Sequence, residues 1–263
     1  SHYPPDESLL DAADELGMFV EVEAPFCWAH QSNPDPTIKN DLYLRQHLET
    51  VNAFRSHPSV IMWSLGNESG CGKNHRAMRS YIKSRDPEAI VHYENAHLEF
   101  KAVPIGENYS DISDVESRMY ASLEYTEEYC KNKNAKKPFF FCEFCCSMST
   151  GDIHAHCDMF RNYSQLFGGC FWELTDHGVD IGGGRFRYGG DFGDRPTDGN
   201  FCGNGIVYGD GEESPKMQAV KYNYQNIIAE VADTKAVIAN RAMFTNTGAF
   251  DCVAILALSL IHI

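Results

Sequence analysis

The chain has 263 residues, 43% of them hydrophobic and 12% aromatic, enough to bury a sizeable core in one large domain or in one domain plus part of another. Twenty-two Lys+Arg stand against 37 Asp+Glu, a formal net charge of -15 with no basic stripe, which argues against nucleic acid and anionic membrane surfaces as partners. The longest apolar stretch, Cys252 to Ile263, is 12 residues with Ser259 inside it, too short to span a bilayer.

In chain order, Pro4-Pro5-Asp6-Glu7 opens a helix with acidic residues in its first turn. Leu9, Leu10, Ala13 and Leu16 form its apolar face and Gly17 its stop. Met18 to Val22 reads as a short strand that runs into the loop Glu23-Ala24-Pro25-Phe26-Cys27-Trp28. Asp41 to Arg55 is a helix with Leu44, Leu48, Val51 and Phe54 at helical spacing. Val60-Ile61-Met62-Trp63 is an apolar run of the length and β-branched content of a buried parallel strand. It ends in the polar, small residues Ser64, Gly66, Asn67, Glu68, Ser69 and Gly70.

A helix follows over about Asn74 to Lys83, stopped by Asp86-Pro87. Ile90 to Tyr93 is a strand with Glu94 and Asn95 after it, and Met119-Tyr120 closes a further short strand. Leu123 to Lys131 is helical. Phe139 to Cys142 is a second fully apolar strand and ends in Glu143. Asp152 to Phe167 is predicted as one helix, with Ile153, Cys157, Phe160, Tyr163 and Phe167 on a single face. Gly169 to Trp172 is the last strand of this set.

This order, helix and strand alternating with polar residues after each strand, is that of a parallel sheet or (β/α)8 TIM barrel. About six strands can be counted, and a complete barrel needs about two more. The chain begins abruptly at Ser1-His2-Tyr3-Pro4 without a Met, so the expected fold is an α/β TIM barrel lacking its first strands. Past Gln225, Ile227 to Ala257 alternates with Thr and Asn turns and reads as the start of a β-sandwich domain. The expected division is 1–225 catalytic barrel segment, 226–257 start of the sandwich, and 258–263 an artefactual tail. No signal sequence is recognisable, and the ten cysteines sit on expected strands and helices; both point to reduced thiols and a cytoplasmic protein. Gly182-Gly183-Gly184 precedes an arginine and no helix, so it is not read as a phosphate cradle.

Glu68 and Glu143 both follow apolar strands at their C-terminal ends, the edge where parallel α/β folds do their chemistry. The bland reading of Glu68 is a cap for the next helix. The sharper one is a pair of carboxyl groups flanking one glycosidic bond, which at a separation of about 5 Å supports a retaining mechanism. Trp28, Tyr120 and Trp172 fall at the same rim and can stack on a sugar, although each alone is read first as core packing.

The segment His57 to Gly70, HPSVIMWSLGNESG, resembles the acid/base signature of glycoside hydrolase family 2, and Phe141-Cys142-Glu143-Phe144 resembles its nucleophile strand. Ser1 to Pro4, Tyr188 to Asp194 (YGGDFGD) and Asn200 to Val207 (NFCGNGIV) narrow the resemblance to the large bacterial β-galactosidase type. It covers residues 1 to about 225. The resemblance implies Glu68 as general acid/base and Glu143 as nucleophile. It implies Asn67 at the sugar 2-hydroxyl, His2 as a sugar-binding histidine, Tyr120 touching the nucleophile and Trp172 as the platform under the sugar. Phe201 and Asn204 match residues of a sodium site at the galactose 6-hydroxyl. The substrate implied is a terminal β-D-galactoside such as lactose, and the full-length protein is expected to carry further domains and to form a homo-oligomer.

Two positions depart from the family pattern. A Glu and a His two residues apart bind magnesium together with the acid/base there; here Cys27 and Ala29 stand at those positions, with His30 one step beyond. The family has a histidine three residues after the nucleophile, where this chain has Cys146. Three other readings compete. A zinc site could use Cys142, Cys145, Cys146, His154, His156 and Cys157, but Cys142 and Cys145 point to opposite faces of an extended strand and free buried thiols are the plainer account. A non-catalytic carbohydrate-binding barrel would keep the aromatics without needing both glutamates. A β-glucuronidase-like member of the family should offer a basic residue for the sugar carboxylate, and the matching motifs show no clear candidate.

Overall fold

The computed structural model describes residues 2–28, 41–100, 105, 110–145, 152–199, 201–232 and 235–253. Six parallel strands form two three-stranded sheets. The first is β1 (Val20–Glu23), β2 (Val60–Ser64) and β3 (Ile90–His92), in that spatial order; the second is β4 (Glu116–Met119), β5 (Phe139–Phe144) and β6 (Leu166–Phe171). Parallel neighbours need crossovers, and helices supply most of them: α2 (Asp41–Phe54), α3 (Lys73–Arg85), α4 (Leu123–Lys131) and α5 (Ile153–Asn162), with α1 (Glu7–Leu16) ahead of β1. The connection from β3 to β4 instead carries the 3-10 segment Glu94–Phe100.

Asp114 joins the two sheets. Its N–H donates to the Val91 carbonyl at 2.7 Å, and its Oδ2 accepts the Val91 N–H at 2.9 Å. A side chain thus completes the exchange a neighbouring strand would make. Arg79 and Lys83 of α3 hold the same carboxylate at 2.7 and 3.0 Å. On the inner side, Met62, Val115 and Phe140 pack together across the junction. His92 bridges Glu21 of β1, at 2.6 Å, and Ser117 of β4, at 2.8 Å. Burial opposes charge on this ring, yet the Glu21 carboxylate, with Glu23 and Glu94 behind it, holds its pKa above the usual histidine value. The outer faces pack against the helices in two further cores, one including Leu10, Val51, Trp63 and Met78, the other Tyr129, Phe139, Phe141 and Phe144.

The α1 helix starts and stops as its sequence demands. The Asp6 carboxylate accepts the Ser8 N–H at 3.0 Å, and Gly17 ends the helix at φ +68. Its buried face is narrower than expected: Leu10 and Ala13 are buried, but Leu9 and Leu16 are 54% and 73% exposed. The α5 helix stops at Asn162, so the expected helix over 152–167 is wrong in its last turn. Phe167 belongs to β6 instead, because pairing with β5 outweighs the helical spacing. Gly169 permits that pairing; a Cβ there would lie 2.8 Å from Cβ of Phe141.

Gly182-Gly183-Gly184 turns the short hairpin of β7 (Val179–Asp180) and β8 (Phe186–Arg187) with three successive positive φ angles. The sequence reading missed helix α6 (Lys216–Tyr224), whose apolar residues share no single stripe. Beyond it, β9 (Ile227–Ala232) and β10 (Lys235–Asn240) form an antiparallel pair, in keeping with the alternation read there. The proposed tail, 258–263, lies outside the described residues. Among the described residues no helix is long and apolar enough to cross a membrane.

Two buried histidines make the barrel acid-sensitive. His47 on α2 and His75 on α3 are fully buried, with no hydrogen-bond partner for either ring among the described residues. His75 stacks on Tyr93 with ring centres 4.0 Å apart. Burial pushes their pKa values down to about 4 and about 3. As pH falls below the unfolded value of about 6.5, the unfolded chain gains the proton first, so stability drops by ~1.4 kcal/mol per pH unit for each ring. Glu94, pushed up to about 7 by burial, acts in the opposite sense, which makes a variant comparison necessary. His47→Leu should flatten the fall of the urea midpoint between about pH 6.5 and pH 4.5. An unchanged slope would show that His47 is already charged in the folded state.

Candidate active site

The strands deliver four glutamates to one rim. Glu23 ends β1, Glu68 follows β2, Glu94 follows β3, and Glu143 lies near the end of β5. Past Ser64 the backbone of β2 continues alongside the loop after β1. The Asn67 N–H donates to the Phe26 carbonyl at 2.9 Å, and the Trp28 N–H to the Asn67 carbonyl at 3.0 Å. Gly66 makes this approach sterically feasible: at φ +124 its missing Cβ would sit 2.2 Å from the Phe26 carbonyl oxygen. The zip sets residue 28 beside residue 68, and the Trp28 indole N–H donates to Glu68 Oε2. The Glu68 backbone N–H donates to Glu94 Oε1 at 2.8 Å. Asn67, buried next to Glu68, turns its amide Nδ2 to the Cys27 sulfur at 3.7 Å.

Glu143 has a matching arrangement. The Tyr120 N–H donates to the Glu143 carbonyl at 2.9 Å, and the Tyr120 hydroxyl donates to Oε2 at 2.7 Å. His2 Nε2 is 3.8 Å from Glu143 Oε1, while His2 Nδ1 lies 2.9 Å from Glu23 Oε1. Ser64 Oγ donates to the other oxygen of Glu23 at 2.6 Å. The His2 ring stacks on Trp172, centres 4.7 Å apart, and the Trp172 N–H donates to the Phe144 carbonyl at 3.1 Å. Trp28, Glu68, Tyr120 and Cys145 are non-glycine residues with φ between 44 and 51, each just past a strand or in the loop after one. That backbone is uncommon for such residues and clusters at functional sites.

Burial pushes the Glu143 carboxyl up; the Tyr120 hydroxyl and His2 oppose this, and Glu23 and Glu68 add to it. Glu94 is pushed up to about 7, chiefly by burial, against the Glu68 N–H and His92. The Cys27 thiol is also held up by burial, with Glu23, Glu68 and Glu143 adding to the shift.

Of the residues singled out in the sequence, Glu68 and Asn67 lie in one contact group with Trp28, and Tyr120, Glu143, His2 and Trp172 in a second; the Glu68 charge acts on Glu143 between them. Asn204 lies one step away: its carbonyl accepts the N–H of Glu173, the residue after Trp172, at 3.3 Å. Phe201 is exposed on the preceding loop, with its N–H donating to the Asp198 carbonyl at 3.2 Å. Glu23, Ser64 and Glu94 were not among the site residues read from sequence. The rule that found Glu68 and Glu143, a glutamate after an apolar strand, finds Glu23 and Glu94 when applied to β1 and β3.

The two ions implied by the resemblance fare differently. Asn204 is fully buried (0% exposed) and neither amide atom has a partner among the described residues, so a neutral oxygen donor is left over, as a sodium ion would use. Magnesium needs hard oxygen ligands. Cys27 offers a thiol held protonated and contacted by Asn67, and alanine at position 29 has no ligating side chain. These residues do not fit magnesium. Ala29, His30 and Cys146 lie outside the described residues. The thiols divide between two cores: Cys142 packs with Met62, Val115 and Phe140, whereas Cys145 and Cys157 pack with Phe141 and Phe144.

Comparison with known proteins places these features in a family. Residues 1–229 match the family model for glycosyl hydrolases family 2, TIM barrel domain. The chain is 35% identical to a β-galactosidase of Halalkalibacterium halodurans, over 95% of this chain and 26% of that protein. It is 35% identical to a β-galactosidase of Lactobacillus delbrueckii subsp. bulgaricus, over 95% of this chain and 25% of that protein. It therefore spans about a quarter of the length of these relatives. Among solved structures, a β-glucuronidase from Ruminococcus gnavus superposes with a TM-score of 0.60 at 19% identity, covering 86% of this chain and 42% of that one. A family 2 member from Bacteroides cellulosilyticus gives 0.57 at 20% identity, covering 88% and 28%. At these identities the solved structures share the fold with this chain. By the match of its residues 1–229 and the barrel strands that carry them, the chain belongs to glycosyl hydrolase family 2.

Proposed function

We propose that this chain is the catalytic segment of a retaining β-galactosidase, which removes terminal non-reducing β-D-galactose from β-galactosides such as lactose through a galactosyl-enzyme. The observation that carries the reading is the pair of rim carboxyls, Glu68 and Glu143, each held by an aromatic donor, Trp28 and Tyr120. The names of the curated relatives support the choice of sugar.

In this mechanism the ionised Glu143 attacks the anomeric carbon while Glu68 passes its proton to the departing glycosidic oxygen. Galactosylation removes the charge on Glu143, and Glu68, now a carboxylate, takes a proton from the water that releases the sugar. Burial disfavours a charged Glu143, and the Tyr120 hydroxyl and His2 act in favour of its ionised form. Asn67 holds the 2-hydroxyl and Trp172 forms the platform under the ring. A sodium ion, when bound by Asn204 and the Phe201 backbone, would supply a positive charge at the 6-hydroxyl.

A family member acting on β-glucuronides is the second reading, favoured by the names of several similar solved structures. Against it, the groups acting most strongly on Glu143 are Tyr120, His2, Glu23 and Glu68, with no lysine or arginine among them. A uronate carboxylate would be repelled by the Glu23 and Glu68 carboxylates of this rim. Within the proposal, residues 1–225 are the barrel segment and 226–257 begin a β-sandwich of a longer, oligomeric chain.

The full-length protein should hydrolyse aryl β-galactosides in preference to glucosides, glucuronides and mannosides, and Glu143→Gln should lower galactoside turnover by at least about a thousandfold. Preference for the glucuronide would favour the second reading; no turnover of any glycoside by folded protein would leave a sugar-binding barrel. Tyr120→Phe removes the bond that favours ionised Glu143, so the acid limb of its kcat/KM profile should lie at higher pH than in the wild type. A limb that stays in place would remove Tyr120 from the control of Glu143.

A further inference from the structure

We infer that Trp28 is the positioning residue of the acid/base, its indole N–H holding Glu68 where the family pattern uses a magnesium ion. This rests on the proposed function. The contact is built by the backbone. The Trp28 N–H donates to the Asn67 carbonyl at 3.0 Å, so the residues on either side of that bond cannot drift apart without breaking the extension of β2. Trp28 and Glu68 also share the left-handed conformation, at φ 50 and φ 44, which turns both side chains out of the strand path. The indole N–H meets Glu68 Oε2, and Glu94 Oε1 pins the Glu68 backbone from the other side at 2.8 Å. Glu68 is therefore held at its carboxyl and at its main chain by two different elements.

An indole N–H is a donor only. It can neither take the catalytic proton nor lose its own during turnover, so it contacts Glu68 in both protonation states. Because it donates to Oε2, the contact favours the protonated form of Glu68 that carries its hydrogen on Oε1. A magnesium ion would hold the carboxylate by charge; Trp28 does so with a neutral group, beside a Cys27 thiol that does not suit the ion and in a sequence that has alanine at position 29. The ring is 47% exposed, so its core packing is slight and its loss should be tolerated.

Trp28→Phe keeps an aromatic face for sugar stacking and removes only the N–H. In the full-length protein, kcat/KM is measured for galactosides whose leaving groups range from dinitrophenol to simple alcohols. Good leaving groups need little protonation, so the loss should grow with leaving-group pKa, reaching about 10- to 100-fold for the alcohols. Wild-type turnover should be the same in EDTA and in added magnesium. An equal loss for every leaving group, no loss for any, or EDTA inhibition reversed by magnesium would each overturn the inference. The contact is also read without turnover: among the tryptophan indole N–H resonances, the one missing in Trp28→Phe should shift in Glu68→Gln, and a resonance that does not move overturns it. A wild-type protein that hydrolyses no galactoside would overturn the proposed function instead, and the resonance would then decide the contact alone.

Discussion

Four glutamates on one rim repel one another, and much of the described structure around them offsets that repulsion. Each carboxylate is assigned specific donors. Glu23 receives His2 and Ser64, Glu68 receives Trp28, Glu94 receives a backbone N–H, and Glu143 receives Tyr120. Among the described residues, Glu23 and Glu143 pair with a histidine, His2. The charge is spread over neutral donors and two histidines, His2 at the mouth and His92 below. A cationic clamp would hold the acids more strongly but would keep them all ionised; a general acid has to be able to carry a proton. Glu94, with its pKa near neutrality, shows how burial settles the remaining conflict by favouring the protonated form.

The support beneath the rim is of the same kind. His92 ties β1 to β4 through Glu21 and Ser117, and Asp114 makes the main-chain and side-chain bonds that join the two sheets. The barrel interior is thus partly polar, and His92, Glu21, Ser117, Ser64 and Glu23 are paired with one another there. This contrasts with the outer layer, where His47 and His75 are buried without a hydrogen-bond partner among the described residues.

Membership of glycosyl hydrolase family 2 and the local chemistry point the same way, but they are separate arguments. The family match covers the barrel and says nothing of which donor holds which acid. The pairing of Trp28 with Glu68 comes from this chain's own loop after β1. The cysteines at this level have no common role: Cys27 lies against Asn67 at the rim, whereas Cys142 and Cys145 serve opposite faces of β5.

Much of the fold was legible in the residues. The runs around Val60 and Phe139 are too apolar to be anything but buried strands, Asp6 and Gly17 mark the ends of α1, and glutamates after those strands mark the rim. The boundary of α5 was not legible, because the pairing of Phe167 with its neighbours in β6 depends on β5, which no local spacing reports. Leu9 and Leu16 fit a helical stripe yet stay exposed, since the width of a buried face is set by what packs against it. The site shows the same division. The sequence by itself determined which residue types stand at the strand ends, because each follows a run whose hydrophobicity dictates its placement. Only the tertiary structure decided their partners: Trp28 on Glu68, Glu23 on His2, and Asp114 across the sheets. Those contacts join segments distant in the chain, and their geometry arises from strand register and left-handed backbone, which sequence spacing does not encode.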